Sequence, residues 1–352
     1  MAPSVAEIQQ DQVAPVVAKQ APESPQQIDE EGDTTTAKYP HYLPVYDYDQ
    51  KYAPLEPFEH VDHGVGADPT FKDLLVEGSK ITKLTPATGS EVSGVQLSQL
   101  SAAGKDQLAL LVAQRKVVAF RDQDFADLPI KDALDFGGYF SRHHIRPTSG
   151  APEGYPEIHL VHRQRSLVLR RLLRGATPRT TFLYVFDTPE TGGDTAFVNQ
   201  VEAYNRLSPA LKQRLHGLKA VHSGIEQAEF SHKRGSVVRR EPVTHEHPIV
   251  RTHPATGEKA LYVNSGFTRS IVGFKKEESD ALLAFLYAHI ARGIDYQTRV
   301  RWAPKTVVVW DNRVTAHSVV VDWTTGERRH LARIQLQAER PVETPYVAET
   351  EA

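Results

Sequence analysis

The chain has 352 residues, of which 40% are hydrophobic and 24% charged, with 22 Gly and 23 Pro. That composition fits a loop-rich globular body and excludes a coiled coil or a fibrous chain. The 41 Lys and Arg against 44 Asp and Glu give a formal net charge of -3, which argues against whole-surface affinity for nucleic acid, and the lack of cysteine excludes disulfides, thiolate catalysis and cysteine-ligated metals.

No run approaches the roughly 20 apolar residues of a bilayer span. The start, MAPSVAEIQQDQVAP, has neither the basic opening nor the apolar core of a signal peptide. By elimination the expected location is cytoplasmic, with no membrane partner. Residues 1–37 read as a disordered leader, because seven acids face one Lys and no aromatic residue offsets the entropy of ordering. Residues 38–63, with YPHYLPVYDYDQKYAPLEPF, are aromatic and Pro-rich without a period, which predicts an extended arm anchored by its tyrosines. The body is placed at 64–341 and a tail at 342–352.

Within the body, Ser101 followed by AAGKDQLALLVAQ predicts an amphipathic helix with Leu108, Leu111 and Val112 on one face. Lys116 to Phe120 predicts a buried strand, and Pro129 with IKDALDFGGYF a second helix carrying Pro in its first turn. Thr180 to Asp187 predicts a strand, followed by the loop TPETGGD. LSPALKQRLHG carries Ser208 as N-cap, Pro209 at the first helical position and Gly217 beyond the last turn. HPIVRTHPATGEKALYVN predicts a hairpin, KKEESDALLAFLYAHIARG a helix ended by Gly293, and TVVVWDN and LARIQLQAE two further strands. Short, irregularly spaced strands without a βαβ rhythm predict a mainly β sandwich or barrel with helices outside.

Sixteen histidines invite a metal reading. His216 and His289 fall within helical patterns, where packing or exposure is the expected role. His245 and His247, in HEH, flank a strand entrance, and nothing downstream completes a ligand set. His317 is different. It follows a buried strand and a polar corner in VVVWDNRVTAHSVVVDWTTGERRHLARIQL, with Arg329 and Arg333 coming 12 and 16 residues later. A neutral imidazole at a strand edge suits Fe(II) or Zn. Paired arginines on the returning strand suit an anionic ligand, which a guanidinium grips with a two-donor fork.

The stretch TTFLYVFDTPETGGDTAFVNQVEAYNRLSPALKQRLHGLKAVHSG, with LYVNSGFTRSIVG and WDNRVTAHSVV, resembles the TauD/TfdA family, especially its fungal sulfonate-dioxygenase branch. The resemblance runs from about Gly64 to Pro341. It implies a double-stranded β-helix (jelly-roll) core with surrounding helices, Fe(II), 2-oxoglutarate and dioxygen. It also implies a small anionic substrate, an alkyl sulfonate such as taurine, from which hydroxylation beside sulfur would release sulfite and an aldehyde. His317 then resembles the distal iron ligand. Thr195 and Arg329 resemble the residues that hold the 2-oxoglutarate carboxylates, and Arg333 the one that contacts the sulfonate. Phe267 matches a pocket-wall aromatic, and either His144 or Arg146 a substrate-side histidine. Arg333 would suit a carboxylate equally, which leaves oxidation of an amino acid or a secondary-metabolite intermediate open. The resemblance allows a homo-oligomer, although no patch in the sequence marks an interface.

One family feature is missing. The His-x-Asp pair that completes the iron ligands is expected near Leu167 to Arg170, yet no Asp or Glu occurs between Glu157 and Asp187, and six arginines fall from Arg163 to Arg179. Without that pair, a non-catalytic jelly-roll protein is a competing reading. An inward strand made of such arginines would bury unpaired charge. Read one base later, codons for Leu169 to Arg179 permit a sequence close to the family's, which suggests a frame or exon-boundary error over 163–179. A faithful in-frame transcript encoding these arginines would exclude that hypothesis.

Overall fold

The structure, a computed structural model, describes residues 37–56, 58–163, 178–233, 235–323 and 327–347. A seven-stranded sheet runs in the order Lys80–Lys83, Ser90–Ser93, Val117–Phe120, Val307–Asp311, Pro178–Asp187, Arg329–Gln337, Ile158–Arg163. Its pairs are antiparallel except that joining Ser90–Ser93 to Val117–Phe120. Across from it stands a three-stranded sheet, Gln297–Val300, Thr195–Asn199 and Thr315–Val319. A second three-stranded sheet (Thr268–Ile271, Lys219–Ser223, Thr244–Pro248) and the hairpin Val250–Thr252 with Lys259–Leu261 complete the β-structure.

Alternation along the central strands explains the layering. Val117, Ala119, Leu183, Val185, Val308, Trp310 and Leu331 point one way and pack with Phe197, Val300 and Trp302 of the smaller sheet side. Their alternates, including Val118, Phe120, Phe182, Tyr184, Val309 and Ile334, pack beneath the helices Ala102–Arg115 and Ile130–Gly138. Both faces are covered, which is why these strands read as unbroken apolar runs.

The sequence signals for helix ends hold. Ser101 accepts from the Gly104 amide, and Ser208 from the Leu211 amide ahead of Pro209–Leu215. Gly104 has a further reason to lack a side chain, since a Cβ there would lie 2.7 Å from the Asp73 carbonyl oxygen. The long helix spans Lys276–Arg292 and stops at Gly293. Pro129 is corrected from the first turn to the N-cap of Ile130–Gly138, with extended ψ of 138°. The extended ψ keeps the proline outside the first turn, while its carbonyl already accepts from the Asp132 and Ala133 amides at 2.9 and 3.2 Å. In the arm, Tyr42 is fully buried, its hydroxyl 3.1 Å from that of Tyr184. Among the described residues no helix is long and apolar enough to cross a membrane.

The polar corner WDNR is a buried ion cluster. Arg313 reaches Asp311 at 2.5 Å, Asp62 at 2.6 Å and Glu339 at 3.1 Å. Arg251 pairs with Glu339 at 2.7 Å, Arg179 with Asp62 at 2.5 Å, and His253 with Asp311 at 2.9 Å. Three guanidiniums thus meet three carboxylates out of water, so each charge has the partner that burial demands. Arg179, the last arginine of the stretch 163–179, pairs with Asp62 on the arm and also donates to the Phe140 carbonyl at 2.7 Å. Residues 164–177, where the frame hypothesis and the missing His-x-Asp pair chiefly fall, lie outside the described residues.

Candidate active site

The anticipated site residues fall into two adjoining groups. Thr195, His317, Arg329 and Arg333 are all buried. His317 sits on the smaller sheet, directly opposite Phe197 in its strand pairing, and Arg333 on the larger one. They meet across the sandwich, with Arg333 Nη2 and His317 Nε2 3.0 Å apart. A guanidinium has donors and no acceptor, so it donates and Nε2 accepts, which places the imidazole proton on Nδ1. Trp310 underlies the pair, 4.8 Å from the His317 ring centre and 5.3 Å from the Arg333 guanidinium carbon.

Thr195 and Arg329 are joined through a second tryptophan. Trp302 Nε1 donates to Thr195 Oγ1 at 3.1 Å, and the Arg329 guanidinium carbon lies 5.9 Å from the Trp302 ring centre. The glycines of GGDT seat that arginine. Arg329 Nε donates to the Gly193 carbonyl at 2.8 Å, and Gly193 holds φ +70° with Arg329 Cδ 3.1 Å from where a Cβ would stand. A side chain there would be strained by the backbone and crowded by the arginine.

The other group lines a cavity of about 220 Å³ that takes in His144, Arg146 and Phe267 together. The cavity does not reach the four buried residues themselves. Thr315 and Ala316, just before His317, and Gln335, just beyond Arg333, line it. We read the two groups as neighbours along the same strands, since residues two apart on a strand share a face.

Several wall residues escaped the sequence. His222 stands directly across the strand pair from His245, and His247 lies on the same face. The His222 ring stacks on Tyr262 at 5.2 Å and meets His247 at 5.3 Å. The period of HEH put His245 and His247 on one face, but His222 joins them only through strand register. Arg240, in VVRREPV, carried no signal at all.

Burial holds His222 and His247 at about 4, each helped by a neighbouring imidazole. His144 is also held at about 4, by burial and then by the charges of Arg240 and Arg146. All three should therefore be neutral at pH 5.5, where an ordinary histidine is mostly protonated. Long-range proton–nitrogen correlation spectra would show neutral imidazole patterns for them at that pH. A midpoint near 6.5 for any of the three would refute this account of its surroundings.

With this geometry in hand, residues 80–335 match the family described as taurine catabolism dioxygenase TauD, TfdA family. The chain belongs to the TauD/TfdA family. An alpha-ketoglutarate-dependent sulfonate dioxygenase of Saccharomyces cerevisiae is 44% identical over 327 residues, covering 87% of this chain and 79% of its own. The alpha-ketoglutarate-dependent dioxygenase cnsP of Penicillium expansum is 40% identical over 89% of this chain and 90% of its own. Among solved structures, a taurine dioxygenase of Burkholderia xenovorans aligns with TM-score 0.62 and 30% identity, covering 75% of this chain and 91% of that one. The sandwich is thus the jelly-roll of TauD dioxygenases.

The TauD/TfdA family implies 2-oxoglutarate and usually Fe(II), and the described residues do not make up an iron site. No group of three His, Cys, Asp or Glu side chains among them could hold a metal ion. The Nε2 lone pair of His317 is moreover directed at Arg333. For that nitrogen to bind a metal, the arginine would have to turn away.

Proposed function

We propose that this TauD/TfdA protein is a 2-oxoglutarate-dependent dioxygenase of alkyl sulfonates. The overall reaction would take a sulfonate, dioxygen and 2-oxoglutarate to an aldehyde, sulfite, succinate and carbon dioxide. The observation that carries this reading is the meeting of His317 and Arg333 across the sheets, next to a cavity rich in cationic and imidazole groups. Arg333 would hold the sulfonate, Thr195 and Arg329 the 2-oxoglutarate carboxylates, and Phe267 the apolar part of the substrate. His144 and Arg146 would stand on the substrate side. A buried guanidinium suits a sulfonate because its charged hydrogen bonds replace those the anion loses from water. The relatives named for sulfonates support the substrate class.

The ligand set, incomplete among the described residues, favours one second reading, a jelly-roll protein that binds these anions without turning them over. Sulfite and succinate assays with Fe(II), 2-oxoglutarate and propanesulfonate separate the two. Equal amounts of both products, lost in His317→Ala, are expected for the enzyme. Binding of 2-oxoglutarate by folded chain with no Fe(II) retained and no sulfite formed would establish the second reading.

A further inference from the structure

Arg240 stands in the cavity wall. Its Nε donates to the Ala53 carbonyl at 2.8 Å and its Nη1 to the Ile145 carbonyl at 3.0 Å. The Tyr52 ring centre lies 5.7 Å from its guanidinium carbon. Among the described residues no carboxylate pairs with it. Two carbonyls fix the plane of the guanidinium and use two of its five N–H donors, so orientation is set without neutralising the charge.

The surroundings share that character. His144 and Arg146 line the same cavity, as do His222 and His247. Glu241 is the one carboxylate among the described lining residues, and it is solvent-exposed. A short run of contacts ties Arg240 to the strand that carries Arg333. Gln335 lies roughly 7 Å along that strand from Arg333. Its carbonyl accepts from the His144 amide at 2.7 Å, and the next residue, Ile145, supplies the carbonyl that Arg240 holds. The cavity that Arg240 lines therefore comes within two residues of Arg333 on the same strand, at Gln335.

We propose that Arg240, with His144 and Arg146 beside it, selects sulfonates that carry a second anionic group and disfavours those that carry an ammonium, as taurine does. The inference rests on the reading of Arg333 as the sulfonate contact. A carboxylate at the far end of a short chain would gain charge-assisted hydrogen bonds from a guanidinium already fixed in place. An ammonium there would meet like charge in a partly desolvated space, with no buried carboxylate among the described lining residues.

The test is calorimetric binding of sulfopropanoate, propanesulfonate and taurine to the purified full chain with 2-oxoglutarate present, which needs no turnover. Sulfopropanoate should bind at least about tenfold tighter than propanesulfonate, the scale of one charged hydrogen bond, and taurine weaker than both. The ratio of the first two dissociation constants should fall to about one in Arg240→Gln and be largely kept in Arg240→Lys. Because the ratio is internal to each protein, a partly destabilised variant still reports it. A wild-type ratio near one, a ratio unchanged in Arg240→Gln, or tightest binding of taurine overturns the proposal while leaving the sulfonate reading intact. Failure of folded chain to bind any of the three overturns the sulfonate reading and this inference with it.

Discussion

Arg313→Met is expected to destabilise the fold by about 3–5 kcal/mol, because it strips the central cation from a buried cluster and strands its carboxylates. Asp311 would keep His253, Glu339 would keep Arg251, and Asp62 would keep Arg179, each with one cationic partner fewer. Urea unfolding of the two proteins at pH 7 measures the difference, and a loss under about 1 kcal/mol would show that the cluster relaxes or is hydrated. Acid should act on the same cluster. Burial raises Asp62, but Arg313 and Arg179 outweigh it and hold the carboxyl at about 2, and Asp311 lies well below the ordinary range for the same kind of reason. A carboxyl depressed in the folded state contributes stability that is complete above its unfolded value, near pH 4, and is lost as pH falls toward 2. The urea midpoint should therefore drop over that window, and less steeply in Arg313→Met.

Arg329→Ala is expected to weaken 2-oxoglutarate binding at least about a hundredfold, the scale of a two-donor grip on a carboxylate in a buried setting. The Gly193 carbonyl on one side and the Trp302 ring on the other fix the Arg329 guanidinium. Arg329→Lys should recover charge without the fork and fall between the two. Calorimetric titration with 2-oxoglutarate reads all three proteins without requiring turnover. Equal affinity in wild type and Arg329→Ala, both folded, would remove Arg329 from the cosubstrate site.

Much of the molecule was legible in the chain because the relevant rules act over a few residues. Ser101 and Ser208 cap helices through amides three residues on, and GGDT announces a backbone that side chains would strain. The apolar run at Val307–Asp311 and the alternating LARIQLQ within Arg329–Gln337 declared strands, and the WDNRVTAH text carried part of the family resemblance. What the local pattern could not say was which buried groups face one another. Arg179 and Asp62 are 117 residues apart, and their pairing makes both part of a balanced cluster. His317 and Arg333 are close in sequence, yet their contact needs two sheets to fold over each other. His222 reaches the HEH pair only through strand register, and Arg240 enters the cavity wall held by carbonyls from the arm and from Ile145. Hydrophobic patterning fixes which side of a strand is buried, but register and sheet packing choose the partner. Charge, which is costly to bury alone, is where that choice decides both stability and chemistry.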